Sequence, residues 1–175
     1  MTRLEELKLF IDRKNINKRV KEIAAEINHD YKGKSPVFIG ILNGVFIFLS
    51  DLVRELKMNV EIDFIKIESY GNNKFSTGNI RLLKDLNTPL AGRDVVIVED
   101  IIDSGLSIQY IHEMISRHTP NSLEIAAFLC KKNVKNLGVD IKYLGFKIPN
   151  KFVVGYGLDC AQKYRNLKSI YFLKN

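Results

Sequence analysis

The chain has 175 residues, of which 46% are hydrophobic and 27% charged, and its formal net charge at pH 7 is +7. This length suits one hydrophobic core, so we expect a single domain over residues 1–175. No stretch approaches the ~18 consecutive apolar residues of a membrane helix, which excludes a membrane-spanning protein. The positive charge favours anionic partners, and its scattered distribution favours small phosphates over nucleic acid.

Two observations predict a cytoplasmic protein. Glu5 and Glu6 interrupt the N-terminal segment, where a secretory signal would have an unbroken apolar stretch. Cys130 and Cys160 are far apart and have no neighbouring cysteine or histidine at a metal-binding spacing. This arrangement predicts reduced thiols rather than a disulfide or a zinc site.

The first half of the chain alternates between helical and strand patterns. The first predicted helix has Asn15 as its N-cap and ends near Gly33. Its apolar face comprises Ile16, Val20, Ile23, Ala24 and Ile27. The run "PVFIGIL" predicts a strand buried on both faces, and "NGVFIFLSDLVREL" returns to helical spacing. "VEIDFIKI" predicts another strand, and a polar loop at 69–79 follows, which we expect to be mobile.

The second half continues the alternation and then changes character. "DVVIV" and "LEIAAFLC" predict buried strands, with a helix over 107–117 between them. The pattern predicts an α/β fold with a mainly parallel, twisted sheet flanked by helices, whose ligands bind beyond the carboxyl ends of the strands. "KYLGFKIP", "FVVGYGLD" and "SIYFLK" predict a small β-rich lobe. We expect a core over about 16–135, and a lobe built mainly from about 140–175 with the N-terminal segment.

The stretch "VVIVEDIIDSG" crowds three acids beside a loop suited to anions. Free N–H groups at the start of the following helix, with the Ser104 and Ser107 hydroxyls, would form a phosphate cradle. Glu99 and Asp100 would repel a phosphate unless they accept hydrogen bonds from sugar hydroxyls or hold Mg²⁺. Any one acid could equally be a helix cap or a solvated turn residue. Together the eleven residues favour a sugar-phosphate site.

The same stretch resembles the signature of the phosphoribosyltransferases that use phosphoribosyl pyrophosphate (PRPP). Further segments resemble one branch, the hypoxanthine-guanine phosphoribosyltransferases: "GILNGVFIF", "ESYG", "LCKK", "KFVVGYGLD" and "YRNL". They occur in the same order from about residue 37 to 167, which covers most of the chain. The resemblance implies a type I phosphoribosyltransferase fold with a hood lobe.

The resemblance implies roles toward PRPP. Glu99 and Asp100 would bind the ribose hydroxyls and the metal's water shell, and Asp159 would ligate Mg²⁺. The 5′-phosphate would be held by Ser104, Gly105, Leu106 and Ser107. Pyrophosphate would be bound by Leu42, Asn43, Gly44 and Arg165, with a cis peptide bond within the turn. Ser69 and Tyr70 would begin the mobile catalytic loop.

Toward the purine, the resemblance makes Asp103 the general base at N7 and Lys131 the donor to O6. Phe152 would stack on the ring, the backbone of Val153 would meet its 2-position, and Asp159 would complete the purine-binding tail. Taken alone, Phe152 in an apolar strand is more often a core residue than a stacking residue. Lys131, next to Lys132, could be part of a solvated pair.

Four positions depart from the family pattern. Ser104 and Leu106 keep the backbone cradle but bear on phosphate affinity, and Asn43 and Cys160 leave fine base preference open. The implied enzyme salvages purines by converting hypoxanthine or guanine and PRPP to IMP or GMP and pyrophosphate with Mg²⁺. We expect a homodimer or homotetramer that binds neither nucleic acid nor membrane. The alternative hypothesis is a regulator that keeps the fold to sense PRPP while binding nucleic acid.

Overall fold

The computed structural model of the protein describes residues 7–69, 80–134 and 137–173. The elements in chain order are β1 (Leu7–Ile11), α1 (Arg13–Asp30), β2 (Val37–Leu42), α2 (Phe46–Arg54), β3 (Glu61–Ser69), β4 (Ile80–Lys84), β5 (Asp94–Ile102), α3 (Leu106–Ser116), β6 (Ser122–Lys131), β7 (Tyr143–Ile148), β8 (Val153–Val154) and β9 (Ile170–Leu173). None of the described helices is both long and apolar enough to cross a bilayer.

The larger sheet has the strand order β4-β3-β2-β5-β6-β7. Its strands pair in parallel except at one edge, where β4 is antiparallel to β3. The predicted α/β class with a mainly parallel sheet is therefore confirmed. Because β2, β5 and β6 run the same way, their carboxyl ends meet at one edge of the sheet.

Helices cover both faces of this sheet. Phe38, Val96 and Phe128 belong to a buried cluster with α1 and α2. Ile39 and Ile97, the next residues along their strands, belong to a second cluster with α3. Successive side chains of a strand point to opposite faces, so both clusters need apolar residues. This double burial explains the continuous apolar runs in the sequence.

The smaller sheet joins the two ends of the chain, with β1 and β8 both antiparallel to β9. Strand β1 from the start of the described chain thus lies in one sheet with β8 and β9 from the tail. The placement of "KYLGFKIP" in the small lobe was wrong, because β7 pairs in parallel with β6 at the edge of the larger sheet. Tyr143 and Ile148 at its ends are buried there, so β7 extends the main core.

The described ends of the helices also correct the sequence reading. Asp12, not Asn15, caps α1, and its carboxylate accepts a hydrogen bond of 2.8 Å from the Asn15 N–H. The helix therefore begins at Arg13 and ends at Asp30, before Gly33. Strand β4 had no predicted counterpart.

Asp63 is a buried carboxylate in β3 that fastens the chain after β4. It accepts hydrogen bonds from the N–H groups of Phe64, Asn87 and Thr88, and Lys84 Nζ lies 3.1 Å from its Oδ1. Burial by itself would raise the pKa of Asp63, but these donors outweigh burial and lower the pKa to about 2. The carboxylate therefore stabilises the fold in its ionised form.

We predict that Asp63→Asn lowers the free energy of unfolding by about 2 kcal/mol at neutral pH. Because the folded pKa lies below the unfolded value of 3.8, the contribution is complete above about pH 4 and disappears as the pH falls toward about 2. Urea unfolding of both proteins between about pH 6 and pH 2.5 measures this difference, with exposed Asp140→Asn as control. A difference that stays constant over this range would contradict the role of the Asp63 charge.

Candidate active site

Two adjoining cavities open where the carboxyl ends of β2, β5 and β6 meet. One has a volume of ≈ 210 Å³ and lies against the start of α3, and we call it the helix cavity. The other, of ≈ 240 Å³, lies under the small lobe, and we call it the lobe cavity. Ile101 and Asp103 line both cavities. A single elongated ligand could therefore occupy both.

The helix cavity presents the uncapped start of α3. Gly105 precedes the helix in a left-handed conformation, with φ of 90°, and no side chain caps it. Ser104 Oγ is 3.4 Å from the Leu106 N–H, a long contact, so the first N–H groups of the helix remain available to a ligand. Ser104 and Ser107 both line the cavity. Together with the helix dipole, these donors make an anion-binding cradle.

Glu99 and Asp100 are neighbouring carboxylates near the carboxyl end of β5, and they line the two cavities. Glu99 is 7% exposed. Burial and the charge of Asp100 raise the pKa of Glu99 well above its ordinary value. Burial also raises the pKa of Asp100, although the Ile101 N–H and the Arg165 charge oppose that rise. Glu99 is buried and Asp100 is half-buried, and their like charges repel, so a cation or several hydroxyl donors beside the pair would stabilise its ionised form.

Gly44 allows three segments to meet around Asp100. The peptide bond between Leu42 and Asn43, whose isomer the sequence left open, is cis. A Cβ on Gly44 would lie 1.7 Å from Asp100 Oδ2, and a Cβ on Gly157 would lie 2.0 Å from the Gly44 carbonyl oxygen. Both glycines are therefore required by space, and Gly157 also by its φ of 98°.

The lobe cavity contains an ion pair between two of the predicted purine residues. Lys131 Nζ lies 2.7 Å from Asp103 Oδ2. Lys131 is nearly buried at the end of β6, whereas the Asp103 side chain is 63% exposed and faces solvent. Phe152 lines the same cavity and is 54% exposed. A charged donor, a charged acceptor and an accessible aromatic face thus surround one space.

Arg165 and Asp159 form a second ion pair in the lobe cavity. Arg165 Nη2 is 2.7 Å from Asp159 Oδ1, and Arg165 Nη1 donates to the Gly157 carbonyl at 2.8 Å. Asp159 Oδ2 also accepts a hydrogen bond from the Gln162 N–H. Among the described residues, no group of three or more acidic, histidine or cysteine side chains is placed to hold a metal ion.

Residues 10–161 match the family model described as a phosphoribosyl transferase domain. The chain belongs to this phosphoribosyltransferase family. The hypoxanthine-guanine phosphoribosyltransferase of Dictyostelium discoideum is 46% identical over 165 residues, covering 92% of both chains. The protein of the same name from Bacillus subtilis is 41% identical over 167 residues, which cover 95% of this chain and 93% of that protein.

Solved structures agree with this family. A hypoxanthine-guanine phosphoribosyltransferase from Bacillus anthracis matches with a TM-score of 0.90 and 41% identity, covering 94% of this chain and 97% of that chain. The chain also matches a bifunctional TilS/HprT protein of Listeria innocua at 39% identity, and it spans 26% of that protein's length.

In this phosphoribosyltransferase chain, the fold brings most predicted site residues together. The helix cavity is lined by Leu42, Glu99, Asp103, Ser104, Gly105 and Ser107. The lobe cavity is lined by Asn43, Gly44, Asp100, Asp103, Lys131, Phe152, Val153, Asp159 and Arg165. Leu106 lines neither cavity and has an exposed side chain. Tyr70 lies outside the described residues, as does the side chain of Ser69.

Several residues that line the candidate site were not predicted from the sequence. Ile101 lines both cavities and Leu158 lines the lobe cavity, but an apolar residue next to an acid gives no distinct signal. Gly157 was recognisable only as part of "GYGLD". Its role depends on the contact with Gly44, more than a hundred residues earlier in the chain.

We predict that Gly44→Ala lowers phosphoribosyltransferase activity by about 100-fold or more, because the new methyl group must displace Asp100 or the turn. Gly33→Ala is the control, since it adds the same methyl group at a glycine that has open space around its Cβ position, even though the φ of 76° at Gly33 disfavours alanine. Initial rates and thermal unfolding of both variants measure the effect. Equal activity of Gly44→Ala and wild type would show that this close approach is not needed.

Proposed function

We propose that the protein transfers the 5-phosphoribosyl group of PRPP to hypoxanthine or guanine, which gives IMP or GMP and pyrophosphate in purine salvage. The observation that carries the proposal is the Asp103–Lys131 ion pair beside the uncapped start of α3. The names and identities of the relatives from Dictyostelium discoideum and Bacillus subtilis support it. These relatives are named as enzymes, and we do not retain the regulator hypothesis.

The helix cavity suits the ribose 5-phosphate half of PRPP. The phosphate would accept hydrogen bonds from the first N–H groups of α3 and from the hydroxyls of Ser104 and Ser107. The ribose 2′- and 3′-hydroxyls would donate to Glu99 and Asp100, which accept hydrogen bonds when ionised. The same two carboxylates that would repel a bare phosphate thereby orient the sugar.

The lobe cavity would receive the pyrophosphate next to the turn at residues 42–44. Backbone N–H groups of this turn and the Arg165 guanidinium would bind its oxygens. Arg165 is held by Asp159 without ligand, so a phosphate would compete with that carboxylate. The Arg165 guanidinium would therefore be paired with Asp159 before pyrophosphate binds and with pyrophosphate afterwards.

The acidic residues fit Mg²⁺. Mg²⁺ in proteins is commonly held by one or two carboxylates, with substrate phosphates and water completing its shell. Glu99, Asp100 and Asp159 supply carboxylates around the proposed pyrophosphate position, and burial together with the charge of Asp100 raises the pKa of Glu99, so a cation beside this pair would be favourable. Bound Mg²⁺ would neutralise the negative charge of the leaving pyrophosphate.

Asp103 and Lys131 match one edge of a 6-oxopurine. With a proton on N7, such a purine offers a donor at N7 beside an acceptor at O6. Asp103 would accept a hydrogen bond from N7–H, and Lys131 would donate one to O6. The two side chains are adjacent, as the two purine atoms are. The exposed ring of Phe152 would stack on the purine, and the backbone of Val153 would meet its 2-position.

The reaction forms the bond between purine N9 and C1′ of the ribose and breaks the bond between C1′ and the pyrophosphate oxygen. As positive charge moves from C1′ into the purine, the N7 proton passes to Asp103. Lys131 holds the base in plane for this transfer. The protein thus contributes mainly orientation and electrostatic stabilisation.

We also propose a cytoplasmic homo-oligomer. The described cysteines are free, which suits a reducing compartment. Phe46, Ile62 and Leu83 are large apolar residues with exposed side chains, which suits self-association as a homodimer or homotetramer.

The proposal is tested by pyrophosphate release from PRPP and Mg²⁺ with four bases. Hypoxanthine and guanine should be good substrates. Adenine should have a kcat/KM at least about 100-fold lower than hypoxanthine. Its 6-amino group is a donor and would face the Lys131 ammonium, which is also a donor. Xanthine should be poor, because its 2-oxo group would face a backbone carbonyl.

Lys131→Gln should reduce the preference for hypoxanthine over adenine, because an amide can accept as well as donate. Lys132→Gln is the matched control and should keep the wild-type preference. No pyrophosphate release with either 6-oxopurine would refute the proposed function. Adenine turnover equal to that of hypoxanthine in the wild type would refute the role of Lys131.

A further inference from the structure

A third cavity, larger than either active-site cavity, lies behind the proposed pyrophosphate position. Its volume is ≈ 440 Å³, within the range of about 300–1,000 Å³ that is usual for small-molecule sites. It lies between α1, α2 and the lobe. We call it the rear pocket and define it by Arg13, Lys21, Ile47, Arg54, Tyr156 and Lys168.

Both helices present one face to the rear pocket. Helix α1 contributes Arg13, Asn17, Val20 and Lys21, and α2 contributes Ile47, Asp51, Arg54 and Glu55. Each set has the same spacing of four, three and one residues, which places its members on one side of a helix. The pocket is therefore built from two facing helical stripes rather than from scattered surface residues.

The pocket is lined by four cations, Arg13, Lys21, Arg54 and Lys168, and by two carboxylates, Asp51 and Glu55. Within the described residues, Arg13, Lys21, Arg54 and Lys168 form no ion pair. Arg19, on another side of α1, contrasts with them because it pairs with Glu22 and Glu26. The Asp51 carboxylate is already engaged, since it accepts a hydrogen bond of 2.8 Å from the Tyr156 hydroxyl. The four cations thus outnumber the two acids, and none of the four forms an ion pair with a described residue, so the lining carries a net positive charge.

The floor of the pocket is apolar. Val20 and Tyr156 are buried, and Ile47 and Leu167 are half-buried. A ligand with a flat or apolar part could lie on these side chains while its anionic groups contact the cations at the rim. Arginine pairs well with phosphate because its planar donors can bind two oxygens at once.

We infer that the rear pocket binds a nucleotide through its phosphates, separately from the active site. The pocket shares three segments with the proposed pyrophosphate position. Ile47 follows Gly44 by three residues, Tyr156 precedes Gly157, and Leu167 lies two residues after Arg165. Tyr156 and Leu167 are joined by a backbone hydrogen bond of 2.8 Å. A nucleotide there contacts the back of the segments that carry the pyrophosphate residues.

Calorimetric titration with ADP tests the inference, because adenine does not suit the Asp103–Lys131 edge. The full chain is titrated alone and with saturating IMP, and wild type is compared with Arg54→Gln/Lys168→Gln. Lys14→Gln/Lys32→Gln removes two exposed cations that do not line the pocket and is the matched control. Thermal unfolding of every variant verifies that it is folded.

We expect one ADP per chain to bind in the presence of IMP, at least tenfold more weakly in Arg54→Gln/Lys168→Gln and within about twofold of wild type in the control. Inorganic pyrophosphate should bind more weakly than ADP, because it lacks the apolar part. Loss of ADP binding when IMP is added, or equal affinity in the pocket variant and wild type, would overturn the inference. The titration needs no turnover, so its failure is distinguishable from failure of the proposed activity.

Discussion

Two adjacent carboxylates, the buried Glu99 and the half-buried Asp100, lie near the end of β5, and the surrounding chain leaves space for them. Burial raises the pKa of both Glu99 and Asp100, so their ionised forms are costly without a compensating charge. A hydrogen bond from the Ile101 N–H and the positive charge of Arg165 partly stabilise the ionised form of Asp100. Further stabilisation of the two carboxylates must come from a ligand. The negative pair is therefore the reason to expect a cation and sugar hydroxyls at this edge of the sheet.

The same constraint explains how the small lobe meets the larger sheet. Asp100 reaches its position because Gly44 has no side chain, and Gly44 in turn contacts Gly157 of the lobe. Arg165 donates to the Gly157 carbonyl and pairs with Asp159. Sheet, turn and lobe are thus held together at the point where the proposed pyrophosphate would bind. A shift in any one of them would move the others.

Much of this arrangement was predictable from local patterns. Apolar periodicity predicted α1, α2, α3 and the central strands because both faces of the sheet are covered, and the acid-rich stretch predicted the cradle because its residues are contiguous. The placement of β7 depended on a long-range choice of partner strand, which periodicity does not encode. The capping of α1 by Asp12 was missed because Asn15, another good capping residue, lies three positions later.

The two ion pairs of the site were not predicted, although one follows from strand register. Ile102 pairs with Cys130 between β5 and β6, so the next residues, Asp103 and Lys131, emerge side by side. Their sequence separation of 28 residues hides this relation until the register is known. The Asp159–Arg165 pair likewise depends on the course of the lobe loop, including left-handed residues such as Ala161 and Gln162.

We expect the Glu99 and Asp100 carboxylates near the end of β5 to attract PRPP, through its hydroxyls and Mg²⁺, rather than to repel it. Calorimetric binding of PRPP with and without Mg²⁺, for wild type and for Glu99→Gln/Asp100→Asn, tests this claim most directly. We predict that PRPP binding to wild type depends on Mg²⁺ and that the neutral variant binds PRPP at least about tenfold more weakly. If the neutral variant bound PRPP as tightly as wild type or more tightly, as simple repulsion requires, the claim would be contradicted.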